Sequence, residues 1–480
     1  MIKPVIQTFV GLFVLTSGLV IYYWRDIQYD PSNIELTLYF GILPLLLCLL
    51  LFTPYLIYKA LKKYQQRKQK QQDQANSLAQ IRQQDSENTK ETLKPIEDYP
   101  LNIFSAAAWH SFGKNAEILE KMMQFSSPEL DPKLLNYFGL PLLAYRIHAI
   151  DSLLEKDQTE QGIMTSLGGR RIQHLIQNQL EQHQESLSLI SRQLKHSALF
   201  YDQELAYQYR MHPGWTHENY QEDESHITPL ITVPVVRLNR LNLHILLADH
   251  LIDDWNEIYQ EQLLSQIEQQ YSIIPAQIHL QLHFLPADRA YSNWLNLIQE
   301  SAGQSHEASL IIVADSEIDQ DYLNDQLWQN EHYIASEYAA SWCLAAPELE
   351  IEGMIPLQSL QVAKHVTHLQ EYLAQHQVDL STQLEWPQPF LVVLDEVTHS
   401  KKMKKIQKSF ENIDFEPDHV VYPKIYLGHT QHLATVFAAM LSAHLVDNVI
   451  TITYGLQQES TYLYFTNTKN DQLNQSTLVA

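Results

Sequence analysis

The pattern of apolar and polar positions divides the chain into three textures. At the N-terminal end, Val5–Trp24 and Leu36–Tyr58 are apolar runs without a single Asp, Glu, Lys, Arg or His. Each matches the roughly 20 helical residues that cross the hydrocarbon core of a bilayer. Gly11, Gly18, Pro44 and Pro54 are tolerable there, because neighbouring groups satisfy the backbone that they free. Tyr22, Tyr23 and Trp24 close the first run, and Tyr55 and Tyr58 the second, as aromatics at a water interface do. The pattern predicts a transmembrane hairpin over residues 1–60. A signal peptide fits less well, since the apolar stretch is long and no small-residue cleavage site precedes Arg25.

The second texture, residues 61–97, is basic at first, rich in Gln and nearly free of an apolar stripe. It reads as a tether. Beyond it the expected soluble region falls into an N-terminal part, residues 98–235, and an α/β domain, residues 236–480. In the first part, the spacing of Trp109, Phe112, Ile118, Leu119, Met122 and Met123 predicts a helix over Trp109–Phe125. A compact apolar run, LNYFGLPLLAYRIHAID, follows it, and Arg170–Lys195 predicts one long amphipathic helix.

From about residue 230 the third texture alternates. Strands are expected at Leu230–Leu238, Leu241–Ala248, Gln277–Phe284, Ser309–Ala314, Ala339–Ala346, Phe390–Asp395, Val449–Tyr454 and Thr461–Thr466. Helical patterns at Asp253–Gln270, Ser359–Gln375, Lys401–Phe410 and Gln431–Val446 lie between them. Strands alternating with helices of this length indicate an α/β fold with a largely covered sheet. No internal repeat is visible.

Charge adds an orientation. Lys3 precedes the first run, the connector holding Arg25, Asp26, Asp30 and Glu35 is net acidic, and Lys59, Lys62, Lys63, Arg67, Lys68 and Lys70 follow the second run. Positive charge beside spans stays on the cytoplasmic side, so both termini and the soluble region are expected in the cytoplasm. Residues 1–70 hold eight Lys or Arg against three Asp or Glu; with −24 over the whole chain, −29 falls on residues 71–480. A body that acidic repels phosphate backbones, which argues against nucleic acid. It suits a basic protein partner or plain solubility. Cys48 and Cys343 are the two cysteines, too few for a disulfide framework and in keeping with a reducing compartment.

Candidate chemistry is sparse. No Gly-rich nucleotide loop follows a strand, so no cofactor is expected. Gly168-Gly169-Arg170-Arg171 opens a helix, where an anion or a plain turn fits. His279 with His283, and His429 with His432, have neither cysteine nor carboxylate at ligand spacing beside them; no metal site is expected. His250–Asp254 reads HLIDD, a faint likeness of the His-x-x-x-Asp of some acyltransferases. A helix cap by Asp249 or Asp253 explains it better.

Tyr422–Leu445, YPKIYLGHTQHLATVFAAMLSAHL, runs from a β-segment through Gly428-His429-Thr430 into a helix rich in small residues. It resembles the thiolase-like condensing enzymes, the ketoacyl synthases, whose second catalytic His lies in such a turn; here it is His429, followed by Gln431. Ala308–Asp319 and Ala335–Pro347 are similar to two further strands of that family, with Ser336-Glu337-Tyr338 where the family has a Gly-Glu-Gly element. The family's nucleophilic Cys belongs in the first half of its fold, yet no Cys stands between Cys48 and Cys343. At the place of its first His stand Glu396 and Val397, with His399 late. A condensing enzyme needs a thiolate and two His donors around one carbonyl. The expectation is a thiolase-like α/β fold without catalysis.

Across its whole length the architecture resembles the membrane-anchored lipase adaptors of type VI secretion. That resemblance implies a non-catalytic adaptor or scaffold at the inner membrane of a Gram-negative bacterium, with two spans and a cytoplasmic body, whose partner is a secretion-spike component or a lipase effector. The alternative is a membrane-tethered acyl-transfer enzyme of thiolase-like type, with His429 and Cys343 as its site. A third is a structural subunit of a membrane complex, with the spans as the working part.

Overall fold

The structure is a computed structural model. It describes residues 96–157, 166–211, 235–366, 368–376, 388–395, 416–430, 432–445, 451–455 and 461–466, with Gly18, Tyr22, Arg25, Asp26 and Lys404 as single positions. The chain forms two compact units, Met1–Lys94 and Pro95–Ala480. In the first unit the four described residues are helical and exposed.

The membrane expectation needs correction. Among the described residues no helix is long and apolar enough to cross a membrane. The longest, Gln184–Tyr201, has 18 residues and carries Glu185, Arg192 and Lys195, where a span asks for about 20 mostly apolar ones. Val5–Trp24 and Leu36–Tyr58 lie outside the described residues apart from Gly18 and Tyr22. The two-span inner-membrane topology, and the membrane-anchored adaptor built on it, are therefore withdrawn. The tether, residues 61–97, lies outside the described residues up to Pro95 as well.

In the second unit the strands are β1 (Glu97–His110), β2 (Gly113–Lys114), β3 (Glu129–Leu135), β4 (Pro141–Tyr145), β5 (Arg240–Ala248), β6 (Ile278–Leu285) and β7 (Glu307–Ser316). They continue with β8 (Ala335–Ala345), β9 (Gln358–Lys364), β10 (Leu391–Val393), β11 (Val420–Val421), β12 (Thr451–Gly455) and β13 (Thr461–Thr466). The helices are α1 (Ala116–Met123), α2 (His148–Asp157), α3 (Leu167–Gln182), α4 (Gln184–Tyr201), α5 (Gln203–Met211) and α6 (Glu257–Tyr271). After them come α7 (Ala290–Ala302), α8 (Gln320–Gln329), α9 (Leu369–Gln375) and α10 (Ala434–Leu441). The α/β character expected from the alternating texture is what the structure has.

One sheet runs in the order β11-β10-β12-β13-β9-β1-β8-β7-β5-β6. That order conceals a duplication. In the set β1, β5, β6, β7, β8 the second strand pairs parallel with the third and fourth, the fourth antiparallel with the fifth, and the fifth antiparallel with the first. The set β9, β10, β11, β12, β13 repeats every one of those pairings. The two sets join where β1 and β9 pair antiparallel. All eleven residues of β8 are buried, as are Leu241–Ala248 of β5, as expected of strands covered on both faces.

Three local expectations give way to tertiary contacts. The helix expected over Trp109–Phe125 begins only at Ala116, because β1 continues through His110, pairing with β8 as far as Tyr338. The helix expected over Ser359–Gln375 is strand β9 followed by α9; β1 on one edge and β13 on the other fix it as a strand. The single helix expected over Arg170–Lys195 breaks at His183, whose ring turns into the core. Its Nδ1 lies 2.6 Å from Ser105 Oγ and its Nε2 2.7 Å from Ser341 Oγ. Burial pushes that imidazole down to about 3, so it is a neutral spacer between strands.

Candidate active site

Strand β5 lies between β6 and β7. Its outgoing connection leads to β6 on one side, while that of β7 leads to β8 on the other. The carboxyl ends of β5 and β7 thus flank a crevice of the kind where open α/β sheets bind ligands. β5 ends at Ala248, and a 3₁₀ turn, Asp249–Leu251, follows at once. β7 ends at Ser316, and Asp319 caps α8 by accepting from the amides of Asp321 and Tyr322. A third segment arrives through Gly428-His429-Thr430, at the approach to α10.

These segments bring Asp249, His250, Asp315, Glu317, Tyr322, Thr430 and His432 together. Asp315 and Glu317 are fully buried. Tyr338 and Thr430 donate to Asp315 Oδ2 at 3.2 and 3.1 Å, while Asp315 Oδ1 has no hydrogen-bond partner among the described residues. Tyr333 donates to Glu317 Oε1 at 2.7 Å, and the Ser336 amide to Oε2 at 3.4 Å. Burial first, and the adjacent Asp315 charge second, push the Glu317 carboxyl up to about 8, so it keeps its proton at neutral pH. His250 turns Nε2 toward the Ser316 carbonyl at 3.4 Å and Asp315 Oδ1 at 3.8 Å, and its buried Nδ1 has no partner among the described residues. Its ring lies on Tyr322, 4.5 Å between centroids, and 5.1 Å from the ring of His432. His432 Nδ1 stands 3.0 Å from Asp249 Oδ1. Asp249 is the open mouth of the cluster, its side chain 46% exposed.

The residues singled out in the sequence fare unequally. His429 is the side wall of this crevice. Its ring stacks on Tyr333, its Nδ1 accepts from the Ile334 amide at 2.8 Å, and its own amide donates to the Ile334 carbonyl at 3.0 Å. Gly428, at φ 67°, is required there because a Cβ would collide with the Ile334 carbonyl oxygen. Cys343 is elsewhere. It is buried in the centre of β8, opposite Ser105 and Leu310, and burial pushes its thiol up to about 12. Eight strand residues separate it from Ala335, a span of about 26 Å at 3.3 Å per residue, so His429 and Cys343 are not brought together. Gln431, Glu396, Val397 and His399 lie outside the described residues.

The double glycine is already engaged by side chains of this chain. Ser166 accepts from the Gly169 amide at 3.0 Å, and the Asp254 carboxylate occupies the space beside Gly168. Neither Asp249 nor Asp253 caps the turn after β5; Asp249 faces His432 instead. His279 and His283 sit on β6, with His283 Nε2 3.4 Å from His244 Nδ1. Reading the sequence passed over Asp315, Glu317, Tyr333 and the partnership of His250 with His432. The one local signal was a polar Asp-Ser-Glu sequence ending an otherwise apolar strand.

The comparisons with known proteins follow the outline of the fold. No protein-family model matches the sequence, and no curated protein matches it either. The chain is similar to the ketosynthase from module 6 of the bacillaene synthase of Bacillus subtilis 168, at 7% identity over 76% of this chain and 71% of that one, with a TM-score of 0.41. It is similar to the C-terminal type III polyketide synthase domain of Steely1 from Dictyostelium, at 9% identity over 77% of this chain and 99% of that one, TM-score 0.31. A third is OleA of Xanthomonas campestri with cerulenin bound, at 9% identity over 77% and 97%, TM-score 0.31. At TM-scores below 0.5 the likeness is one of outline, and it assigns neither activity nor residues.

Proposed function

We propose that this α/β domain is a hydrolytic enzyme of acid–base type, acting on a small polar substrate in the crevice between the carboxyl ends of β5 and β7. The observation that carries the reading is the convergence there of His250, His432, Asp249 and Asp315 from three separate segments. Buried polar atoms among them have no partner among the described residues, an arrangement that costs stability and that active sites commonly hold. His250 is oriented by the Ser316 carbonyl and Asp315, the relation of a base to its orienting group. Together with the His432–Asp249 pair it holds a water molecule and takes its proton. The resulting hydroxide attacks the substrate, and the proton passes on to the leaving group.

The absence of a condensing-enzyme nucleophile bears on thiolate chemistry alone, and this site is built from other residues. The test is turnover of chromogenic acetyl and phosphate esters by the purified full chain. A general base contributes about 10²–10⁴-fold, so His250→Ala should reduce turnover by at least about 100-fold. Equal turnover in wild type and variant would sink the reading.

A second reading, acyl transfer, keeps one supporting observation. Thr430 of the Gly428-His429-Thr430 turn touches Asp315 in the same crevice. It predicts that the protein takes up a labelled acyl group from an acyl thioester and that His429→Ala abolishes the uptake. The burial of Cys343 in mid-strand weighs against it.

A further inference from the structure

Among the described residues, the carboxylates of the crevice meet no cation. Asp315 and Glu317 are fully buried, Asp249 stands at the mouth, and none of the partners described above for these three is a Lys or Arg. Two buried carboxylates side by side ordinarily need a cation or a proton to offset them. Glu317 keeps a proton; Asp315 is offered two hydroxyls on Oδ2 and nothing on Oδ1.

Next to that bare oxygen lie three donors of the kind that hold transition metals. Asp249, His250 and His432 each offer one ligand atom, and the three atoms lie within 4.8 Å of one another. His432 Nδ1 and Asp249 Oδ1 are 3.0 Å apart yet lack the geometry of a hydrogen bond. Two ligands at about 2.0–2.1 Å from a tetrahedral ion stand about 3.3 Å apart, so this pair is already close to that edge. The third donor is His250, which turns Nε2 toward Ser316 and Asp315 and leaves Nδ1 buried without a partner. Metal-bound histidines typically show this arrangement, one nitrogen on the ion and the other directed at a carboxylate or a carbonyl. Asp249 is half exposed and can rotate to close the remaining distance.

We infer that Asp249, His250 and His432 form a site for a divalent first-row transition metal, Zn²⁺ being the best match, with Asp315 as the buried anion that orients His250. Imidazole nitrogens favour Zn²⁺, Cu²⁺ and Ni²⁺ over Mg²⁺ and Ca²⁺. Three protein ligands leave one position of a tetrahedral ion open, the form of catalytic rather than structural zinc. The inference rests on reading this crevice as the site of hydrolysis and deepens it: with Nδ1 on the ion, His250 would be a ligand rather than the base, and the ion would activate the water in its place while offsetting the negative charge of the carboxylates.

The experiment is equilibrium dialysis of the untagged full chain against ZnCl₂, with metal counted per chain, alongside H250A, H432A, the double variant and Asp315→Asn. Secondary structure and Tm of each variant without metal identify any that fail to fold. Wild type should take up one Zn²⁺ per chain, raising its Tm. The double variant should lose the site, and Asp315→Asn should weaken it about 10–100-fold, as loss of an orienting partner does. MgCl₂ in place of ZnCl₂ should leave the Tm unchanged. No stoichiometric uptake by wild type, or equal uptake by a folded double variant, overturns the site. Ester turnover that survives exhaustive chelation while remaining sensitive to His250→Ala overturns the metal and leaves the acid–base reading standing. Turnover insensitive to His250→Ala, with Zn²⁺ still bound one per chain, does the reverse.

Discussion

Two buried polar clusters meet at Ser316, whose hydroxyl donates to Glu337 at 3.1 Å, and they are built on opposite plans. In the first, Arg171 is fully buried and grips both oxygens of Glu337, at 2.8 and 2.5 Å, and Asp151 at 2.6 Å. Arg146 spans Asp151 and Asp131, the latter at 2.8 Å. Burial alone would raise the Asp151 carboxyl, but hydrogen bonds from Arg146 and Arg171 hold it well below the ordinary carboxylate range. The Ile147 amide also donates to Glu337, at 2.6 Å. Charges there are paired and hydrogen-bonded, as they must be to stay buried. In the second cluster, Asp315 and Glu317 have tyrosines, a threonine and a backbone amide, but, among the described residues, no guanidinium. The first cluster ties α2 and α3 to β8. The second leaves buried polar capacity unused at the mouth of a crevice. That difference between neighbouring clusters is the contrast on which the proposed site rests.

The largest effect that would sharpen this contrast is expected at Arg171. Arg171→Met strands Glu337 and Asp151 without their cation, and breaking a buried pair in this way costs about 3–5 kcal/mol, readable by urea denaturation. A loss below about 1 kcal/mol would mean that the first cluster is not the structural one.

The pH dependence of stability should come from the second cluster. The Glu317 carboxyl is raised from 4.5 to about 8. Below pH 4.5 both folded and unfolded chains hold its proton. Between 4.5 and 8 the unfolded chain releases the proton while the folded chain retains it, so stability falls as pH rises, and the loss is complete above 8. Glu317→Gln should flatten this window in a series of denaturation curves, and an unchanged slope would assign the effect to another group.

Gly428→Ala comes next. It forces an L side chain into positive φ and against the Ile334 carbonyl, a strain of about 1–3 kcal/mol. It should also displace Thr430 from Asp315, lowering crevice activity beyond what the loss of Tm explains. Smallest is Cys343→Ala, a truncation in mid-strand costing on the order of 1 kcal/mol, with catalytic turnover unchanged. Loss of turnover in a stably folded variant would return Cys343 to consideration.

Read without the fold, the sequence carries much of the sheet. Leu241–Ala248, Ser309–Ala314 and Thr461–Thr466 were legible as strands because covered strands are runs of Leu, Ile, Val and Tyr, a signal held within each segment. α6 and α10 were legible through their periodicity, and the Gly428-His429-Thr430 turn through its residue types. Where a segment's periodicity suits both forms, as in Gln358–Lys364, only pairing with β1 and β13 decides. The apolar runs at the head of the chain show the opposite risk. Length and hydropathy alone argued for spans, and with them a whole cellular role, which no helix among the described residues supports.

What the sequence by itself determined is thus the inventory: an acidic, α/β body without a reactive first-half cysteine, and a set of histidines and carboxylates whose positions had no evident meaning. Tertiary structure decided which of them are neighbours. His250 and His432 are 182 residues apart in the chain, yet their rings lie 5.1 Å apart, because strand order places the end of β5 beside the end of β7 and Thr430, in the turn before α10, reaches Asp315 there. The duplication of the five-strand pattern was equally hidden, since it repeats pairings rather than residues. Periodicity reports which face of a segment is buried; strand order, set by the packing of the whole sheet, determines what that segment's end will meet.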